Sequence, residues 1–488
     1  MLGADPSTQG AVSDIKALVD EGRFREANAR IVAALAERRL PQAQRQAALF
    51  ERERMHRIRL DFPYRREQIA AQVRRQVPDL REAEFDAWDR AGLFEHQVID
   101  GEKLYFDRAA SNLFRLNPEA FARRDPSLGP LSAGPLEIQH PHHAEVRREA
   151  LASGRPNVAP RRVRIDYSLT VKADAVPAGK LLRAWLPYPR ALPRQQEDIR
   201  LLASVPDSRR IAPESALQRT VFFEQLARAG KPTTFSMSYE LTVFAQYHQI
   251  DARRVLPTPP LPELSPHLGE RLPHIAFTPA LREFSRKVVG DERNPYRVAK
   301  LLFDAVDRVP WAGAREYSTI SNISDYVLQT GHADCGQQTL LLMTLLRLNG
   351  IPARWQSGWV FSDGDYDTMH DWGWLYLAPY GWVPMDVTFG RLAADGSPGD
   401  YFYLGGLDAY RVTFNDDYGR EFVPPKQHFR SETVDQQRGE VEWDGGNLYF
   451  DQWDYQFKWQ MLPVDRRGSL AIDDPPRSLT TIVPGGRK

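Results

Sequence analysis

The chain has 488 residues, beyond the usual size of one domain, so two to four units with separate cores are expected. Its 64 Lys and Arg balance 64 Asp and Glu, which removes any bulk electrostatic argument for nucleic acid or an anionic membrane surface. With one cysteine there is no internal disulfide, and no run approaches the roughly 18 apolar residues of a membrane span. The opening Met1-Leu2-Gly3-Ala4-Asp5 lacks a basic stretch followed by an apolar one. It is compatible with a trimmed signal peptide, which would favour export to the periplasm or beyond; otherwise the cytoplasm is expected.

In chain order, Ile15, Leu18, Val19, Ala29, Val32, Ala33 and Leu35 recur at helical spacing, with Gly22 and Pro41 as breaks. Further on, Asp100-Gly101 between apolar runs predicts a β-hairpin. Residues 1–125 therefore read as a mostly helical module. The stretch 126–160, rich in Pro, Gly and Ser, reads as a linker; its His140, His142 and His143 lack a second ligand pair and are expected in a solvated loop, not on a metal. From 161 to 255 the period changes to two, as in "VRIDYSLTVKA" and "TTFSMSYELTVF", which predicts a β-sandwich. A Pro-rich connector from Leu256 to Pro266 leads to a catalytic core expected over 270–430, with 431–488 as an aromatic-rich extension.

Chemistry concentrates in "GHADCGQQTLLLMTLLRLNGIPARWQSGWV". Asp334 is placed as the N-cap of a helix apolar all round, which puts Cys335 in the first turn, facing unpaired N–H groups and the positive end of the helix dipole. Both favour thiolate. Downstream, "MHDWGWLYLAPYGWVPMDVTFG" reads as two strands joined by a turn around Pro379 to Gly381, which brings His370 and Asp386 near one another. A nucleophile, a base and an orienting carboxylate are the parts of an acyl-transfer triad: Cys335 attacks a carbonyl, His370 carries the proton, and Asp386 fixes the imidazole. Asp371, adjacent to His370, should point to the opposite face of the strand.

Asp334-Cys335-Gly336, "LNGIPAR", His370 before an aromatic-rich strand, and "GWVPMD" resemble, in order and separation, the transglutaminase-like superfamily, and more narrowly its bacterial cysteine hydrolases. The resemblance covers roughly residues 290 to 420. It implies an α+β, multidomain chain in which a papain-like core follows the β-sandwich and the helical module. It also implies Cys335, His370 and Asp386 as the triad, with an upstream aromatic or amide group at the oxyanion site, for which Trp311, Tyr317 and Gln337 are candidates beside the Cys335 N–H. The sequence departs from the family in reading "HDWGWLYL", where an alanine usually follows the histidine.

Trp355, Trp359 and Tyr401 are candidates for a surface that stacks on substrate, although packing is the expected role of at least half the aromatic residues here. The expected activity is hydrolysis of an amide or peptide bond through a thioester, on a peptide or glycopeptide such as cell-envelope material. A glycan-directed hydrolase or amidase on the same fold, and a non-catalytic binding or scaffold protein, are the rivals. No cofactor and no metal are expected; "FSDGDYD", from Phe361 to Asp367, lacks the spacing and terminal Glu of a calcium loop.

Overall fold

The computed structural model describes residues 14–129, 131, 133–393, 396–397 and 399–464. The N-terminal part is built from α1 (14–20), α2 (Phe24–Ala36), α3 (Gln42–Asp61), α4 (Arg66–Arg74) and α5 (Glu82–Arg90), then the hairpin β1 (His96–Ile99) and β2 (Glu102–Tyr105), then α6 (Ala109–Leu116) and α7 (Pro118–Ala122). In the hairpin turn Asp100 and Gly101 both adopt positive φ, 52° and 89°, as a two-residue turn matched to strand twist requires. A separate core fills this part, with Ile15, Val19, Phe24, Ile31, Phe85 and Leu113 among its buried side chains. The inward face of α2 is Phe24, Ala27, Ile31 and Ala34, one helical stripe; Val32, one of the apolar residues at helical spacing, lies off it and is exposed.

The expected linker is not one. It contains α8 (Pro141–Ser153), capped by His140 with Pro141 in the first turn and ended by Gly154 in the left-handed region at φ 67°. Val146 and Ala150 of α8 belong to the main hydrophobic core. His142 and His143 are buried: His142 lies 2.9 Å from Glu145 and accepts the Ala409 N–H, and His143 Nε2 meets the Tyr403 hydroxyl at 2.9 Å. The turn-rich flanks concealed a helix, and these imidazoles serve internal hydrogen bonds. Among the described residues no cluster of His, Cys, Asp and Glu could hold a metal ion.

Strands β3 (Asn157–Val171), β4 (Leu181–Pro187), β5 (Gln196–Val205), β6 (Arg209–Ile211), β7 (Thr220–Leu226) and β8 (Thr233–Tyr247) follow. Helices α9 (Pro279–Val289), α10 (Pro295–Asp307), α11 (Ile323–Thr330) and α12 (Cys335–Leu348) then lead into β9 (Ala353–Phe361), β10 (Asp367–Leu377), β11 (Gly381–Met385), β12 (Gly406–Leu407) and β13 (Arg411–Asn415). The chain closes with β14 (Glu440–Trp443), β15 (Gly446–Leu448) and β16 (Trp453–Leu462).

Besides the β1–β2 hairpin, the described residues form three sheets. One is ordered β12-β8-β3-β16 with β5 also on β8; the second is β15-β14-β4-β7-β6; the third, β11-β10-β9-β13, is antiparallel and carries α12. The stretch expected as an appended extension instead completes the sandwich: β16 pairs with β3 from Trp453↔Val171 to Leu462↔Arg162, and β14 pairs with β4. Helix α12 is buried from Gly336 to Arg347, as a helix apolar on every side must be. Its Arg347 turns back and donates to the Ala353 carbonyl at 2.7 and 3.0 Å, which joins the helix end to β9.

Candidate active site

The start of α12 is tightly specified. The Asp334 side chain accepts the Gln337 N–H at 3.0 Å, Gln337 Oε1 accepts the Asp334 N–H at 3.3 Å, and the Tyr317 hydroxyl donates to Asp334 Oδ1 at 2.6 Å. Cys335 follows in the first turn and is partly buried. Its thiol donates to Asp371 Oδ2 at 3.2 Å. Burial pushes the thiol pKa well above its ordinary value, and the carboxyls of Asp371 and Asp334 push it the same way. The depression expected from the helix terminus alone is thus overridden by desolvation and two acidic neighbours.

His370 and Asp386 come together. The imidazole Nε2 lies 2.8 Å from Asp386 Oδ2, both side chains are buried, and Phe389 stacks on the imidazole with centroids 4.3 Å apart. The same Oδ2 accepts from Arg411 Nη1 at 3.0 Å, and Oδ1 accepts the Phe389 N–H at 3.2 Å. Burial alone would raise the Asp386 pKa; His370 and Arg411 outweigh it and hold the carboxyl below its ordinary value. Arg411 also grips Asp408, which accepts the Tyr403 hydroxyl at 3.1 Å, and Tyr403 in turn meets His143 of α8.

The alternation of β10 decides which groups meet. Adjacent strand residues face opposite ways, so His370 turns to Asp386 while Asp371 turns to Cys335. No hydrogen bond joins Cys335 to His370 among the described residues, and the thiol rests one residue further along the strand than the sequence suggested. Strand β11 pairs with β10 only from Gly373 to Leu377, so at His370 and Asp371 the strand is paired with β9 alone and its other edge is open to the start of α12. There Thr339 Oγ1 donates to the Asp371 carbonyl at 3.2 Å. Asp371 itself is held by Gln437 Nε2 at 3.1 Å, and its pKa is raised by burial and by Asp435 beside it.

The other candidates separate by burial. Tyr317 is the aromatic side chain at this locus: besides binding Asp334, its hydroxyl occupies the space a Cβ on Gly336 would need. Gln337 is buried and its Nε2 has no hydrogen-bond partner among the described residues, so a donor remains unused in the first turn of α12. Trp311 is 39% exposed and its ring lies under the Arg115 guanidinium at 4.6 Å. Trp355 and Trp359 are core residues, 0% and 4% exposed, so neither offers a face to substrate. Trp359 stacks on Phe457 of β16 at 4.3 Å, a contact that depends on the returning strand. Tyr401 is partly exposed and binds Asp304 at 2.8 Å, its ring flanked by Lys300 and Arg391. Arg411, Asp435 and Gln437 carried no local signal, because distant segments bring them in; Asp371 was visible as the departure beside His370.

A buried helix that opens on a cysteine and packs on an antiparallel sheet bearing a histidine–aspartate pair is the papain-like arrangement. Residues 282–387 match the family model described as the transglutaminase-like superfamily, and this part of the chain is a transglutaminase-like core. No curated protein matches the sequence. Among solved structures, one from Cytophaga hutchinsonii described as a "Putative Cysteine Protease" is 16% identical, with a TM-score of 0.43, over 63% of this chain and 93% of its own. A second, from Parabacteroides distasonis and described as a "putative protease", is 10% identical, with a TM-score of 0.18, over 43% and 63% respectively. The family match supports the class of cysteine-dependent hydrolases and transferases.

Proposed function

We propose that the chain is a cysteine-dependent acyl-transfer enzyme that hydrolyses an amide or peptide bond through a thioester on Cys335. The observation that carries this reading is the 2.8 Å contact between His370 Nε2 and Asp386 Oδ2. It commits Nε2–H to the carboxylate and leaves Nδ1 as the basic nitrogen. In the reaction the Cys335 side chain must swing off Asp371, at the strand edge that β11 leaves unpaired, to reach Nδ1 and give it the proton. The thiolate then attacks the carbonyl carbon, the amine departs with the proton from His370, and the thioester forms. Water, deprotonated by the same nitrogen, attacks the thioester, releases the acid and returns the proton to sulfur. Asp386 stabilises the imidazolium formed twice in this cycle. The Cys335 N–H, with Tyr317 or Gln337, would face the oxyanion.

Resolution by water requires no second binding site, which favours hydrolysis over cross-linking. The test is turnover of a p-nitrophenyl ester with and without an added primary amine, in the wild type and in Cys335→Ala. Free acid as the product in both conditions, and no turnover by the variant, is expected. An amide as the main product would make the enzyme a transferase; undiminished turnover in Cys335→Ala would remove the cysteine from the mechanism. Peptide amides and cell-wall fragments are the substrates to screen next.

A further inference from the structure

We propose that Asp371 is a positioning residue that holds the resting Cys335 thiol by its 3.2 Å hydrogen bond, and that Asp435 and Gln437 hold Asp371 in that role. This inference rests on the acyl-transfer reading of Cys335 and adds to it a resting state and the groups that maintain it.

Three observations converge. The thiol's partner is Asp371, although His370 is the next residue on the same strand. Both oxygens of Asp371 are used: Oδ2 takes the thiol, and Oδ1 takes Gln437 Nε2, which also donates to the carbonyls of His370 and Gly358 at 2.9 and 3.1 Å. The third is Asp435, two residues before Gln437, a second buried carboxyl beside the first. Burial raises the pKa of both carboxyls, and Asp435 raises that of Asp371 further, so a proton shared by the pair is favoured.

The groups facing the sulfur are Asp371 from β10, Asp334 from the cap of α12, Tyr317 from the segment before α11, and Tyr366 from the turn before β10. Around Asp435 stand Arg430, Glu432 and Arg438. Where the shared negative charge sits decides how readily the thiol ionises: on Asp371 it opposes the thiolate at hydrogen-bond distance, on Asp435 it does so from further away. Substrate entry must break the Cys335–Asp371 bond before the sulfur can meet Nδ1.

This predicts opposite effects from two substitutions of similar size. Iodoacetamide alkylation of Cys335 is followed against pH by intact mass in the wild type, Asp371→Asn, Asp435→Asn and His370→Ala. Asp371→Asn places the charge on Asp435 and should lower the alkylation midpoint by about one unit, about tenfold in rate at a fixed pH below it. Asp435→Asn leaves the charge on Asp371 and should raise the midpoint or slow the reaction. A fold merely loosened by either change would expose the thiol and accelerate both. The proposal is overturned if Asp371→Asn leaves the midpoint unchanged or raises it, or if both variants shift downward together. His370→Ala separates the two readings: with ester turnover unaffected in that variant the acyl-transfer mechanism fails, whatever the two aspartate variants show.

Discussion

At the scale of single residues, Arg411 explains how a buried aspartate can serve a histidine at all. Asp386 and Asp408 are both buried, and each would be costly as an isolated carboxylate; one fully buried guanidinium compensates both. Its contact with Asp386 Oδ2 shares the oxygen that His370 uses, so the arginine fixes the carboxylate while drawing off part of its charge. Arg411→Met strands two buried carboxylates, and denaturant unfolding should register a loss of about 3–5 kcal/mol. A loss under about 1 kcal/mol would mean that the two aspartates find other partners. Sequence alone pointed to His370 and Asp386 because both lie on one predicted hairpin. Arg411 was illegible because it arrives on β13, across β9 from the histidine strand.

At the scale of elements, the parts set by local chemistry were readable and the parts set by distant pairing were not. The cap at Asp334, the apolar run of α12 and the turn at Asp100-Gly101 are written in neighbouring residues. The sandwich strands β14 and β16 are written in their complementarity to β4 and β3, more than 250 positions earlier in the chain, and were read as an extension. Helix α8 was hidden by the Pro and Gly residues that begin and end it.

One junction between elements has a pH signature. Asp61, at the end of α3, accepts the Glu316 N–H at 3.2 Å and the Thr319 hydroxyl at 3.1 Å, which joins the helical module to the segment before α11. Burial and the nearby Glu316 raise its pKa to about 8. The folded protein therefore keeps a proton that the unfolded chain releases above about pH 4, and stability falls as pH rises towards 8, by at most about 1.4 kcal/mol per unit for one proton. Asp307, Asp334 and Glu432, raised to about 6, 6 and 7, act in the same direction but level off earlier. His143, His248, His267 and His274, lowered to about 4, oppose the trend only below the ordinary histidine range. Between pH 7 and 8 Asp61 contributes to the decline together with the buried Asp371, whose pKa is also raised. Asp61→Asn keeps an acceptor for both donors, so its melting temperature should fall less across that interval than the wild type's. An equal decline in both proteins would assign the effect elsewhere.

At the scale of the molecule, the two large hydrophobic cores among the described residues are separate: one fills the helical module, the other runs through the sandwich and the transglutaminase-like core. The module is joined to the core by Asn112, which exchanges two 2.9 Å hydrogen bonds with the backbone of Gly313, and by Tyr326, whose hydroxyl donates to Glu95. The segment from 313 to 319 between those contacts carries Tyr317, and so ties the start of α12 to the N-terminal module. The sandwich reaches the site through Gln437 and Asp435, in the stretch that leads into β14. Contacts from the helical module and from the sandwich thus converge on Asp334 and Asp371 beside the thiol, and its resting geometry depends on pairings between distant segments that no local stretch of sequence displays.

The proposed function stands on Cys335 acting as a nucleophile served by His370. Its most direct test is intact-mass detection of the acyl-enzyme after a single exposure to a p-nitrophenyl ester, with the modified residue located by peptide mapping. One acyl group on Cys335 is expected in the wild type, with acylation slower by about 10²–10⁴-fold in His370→Ala. Acylation elsewhere, or at the same rate without the imidazole, would contradict it.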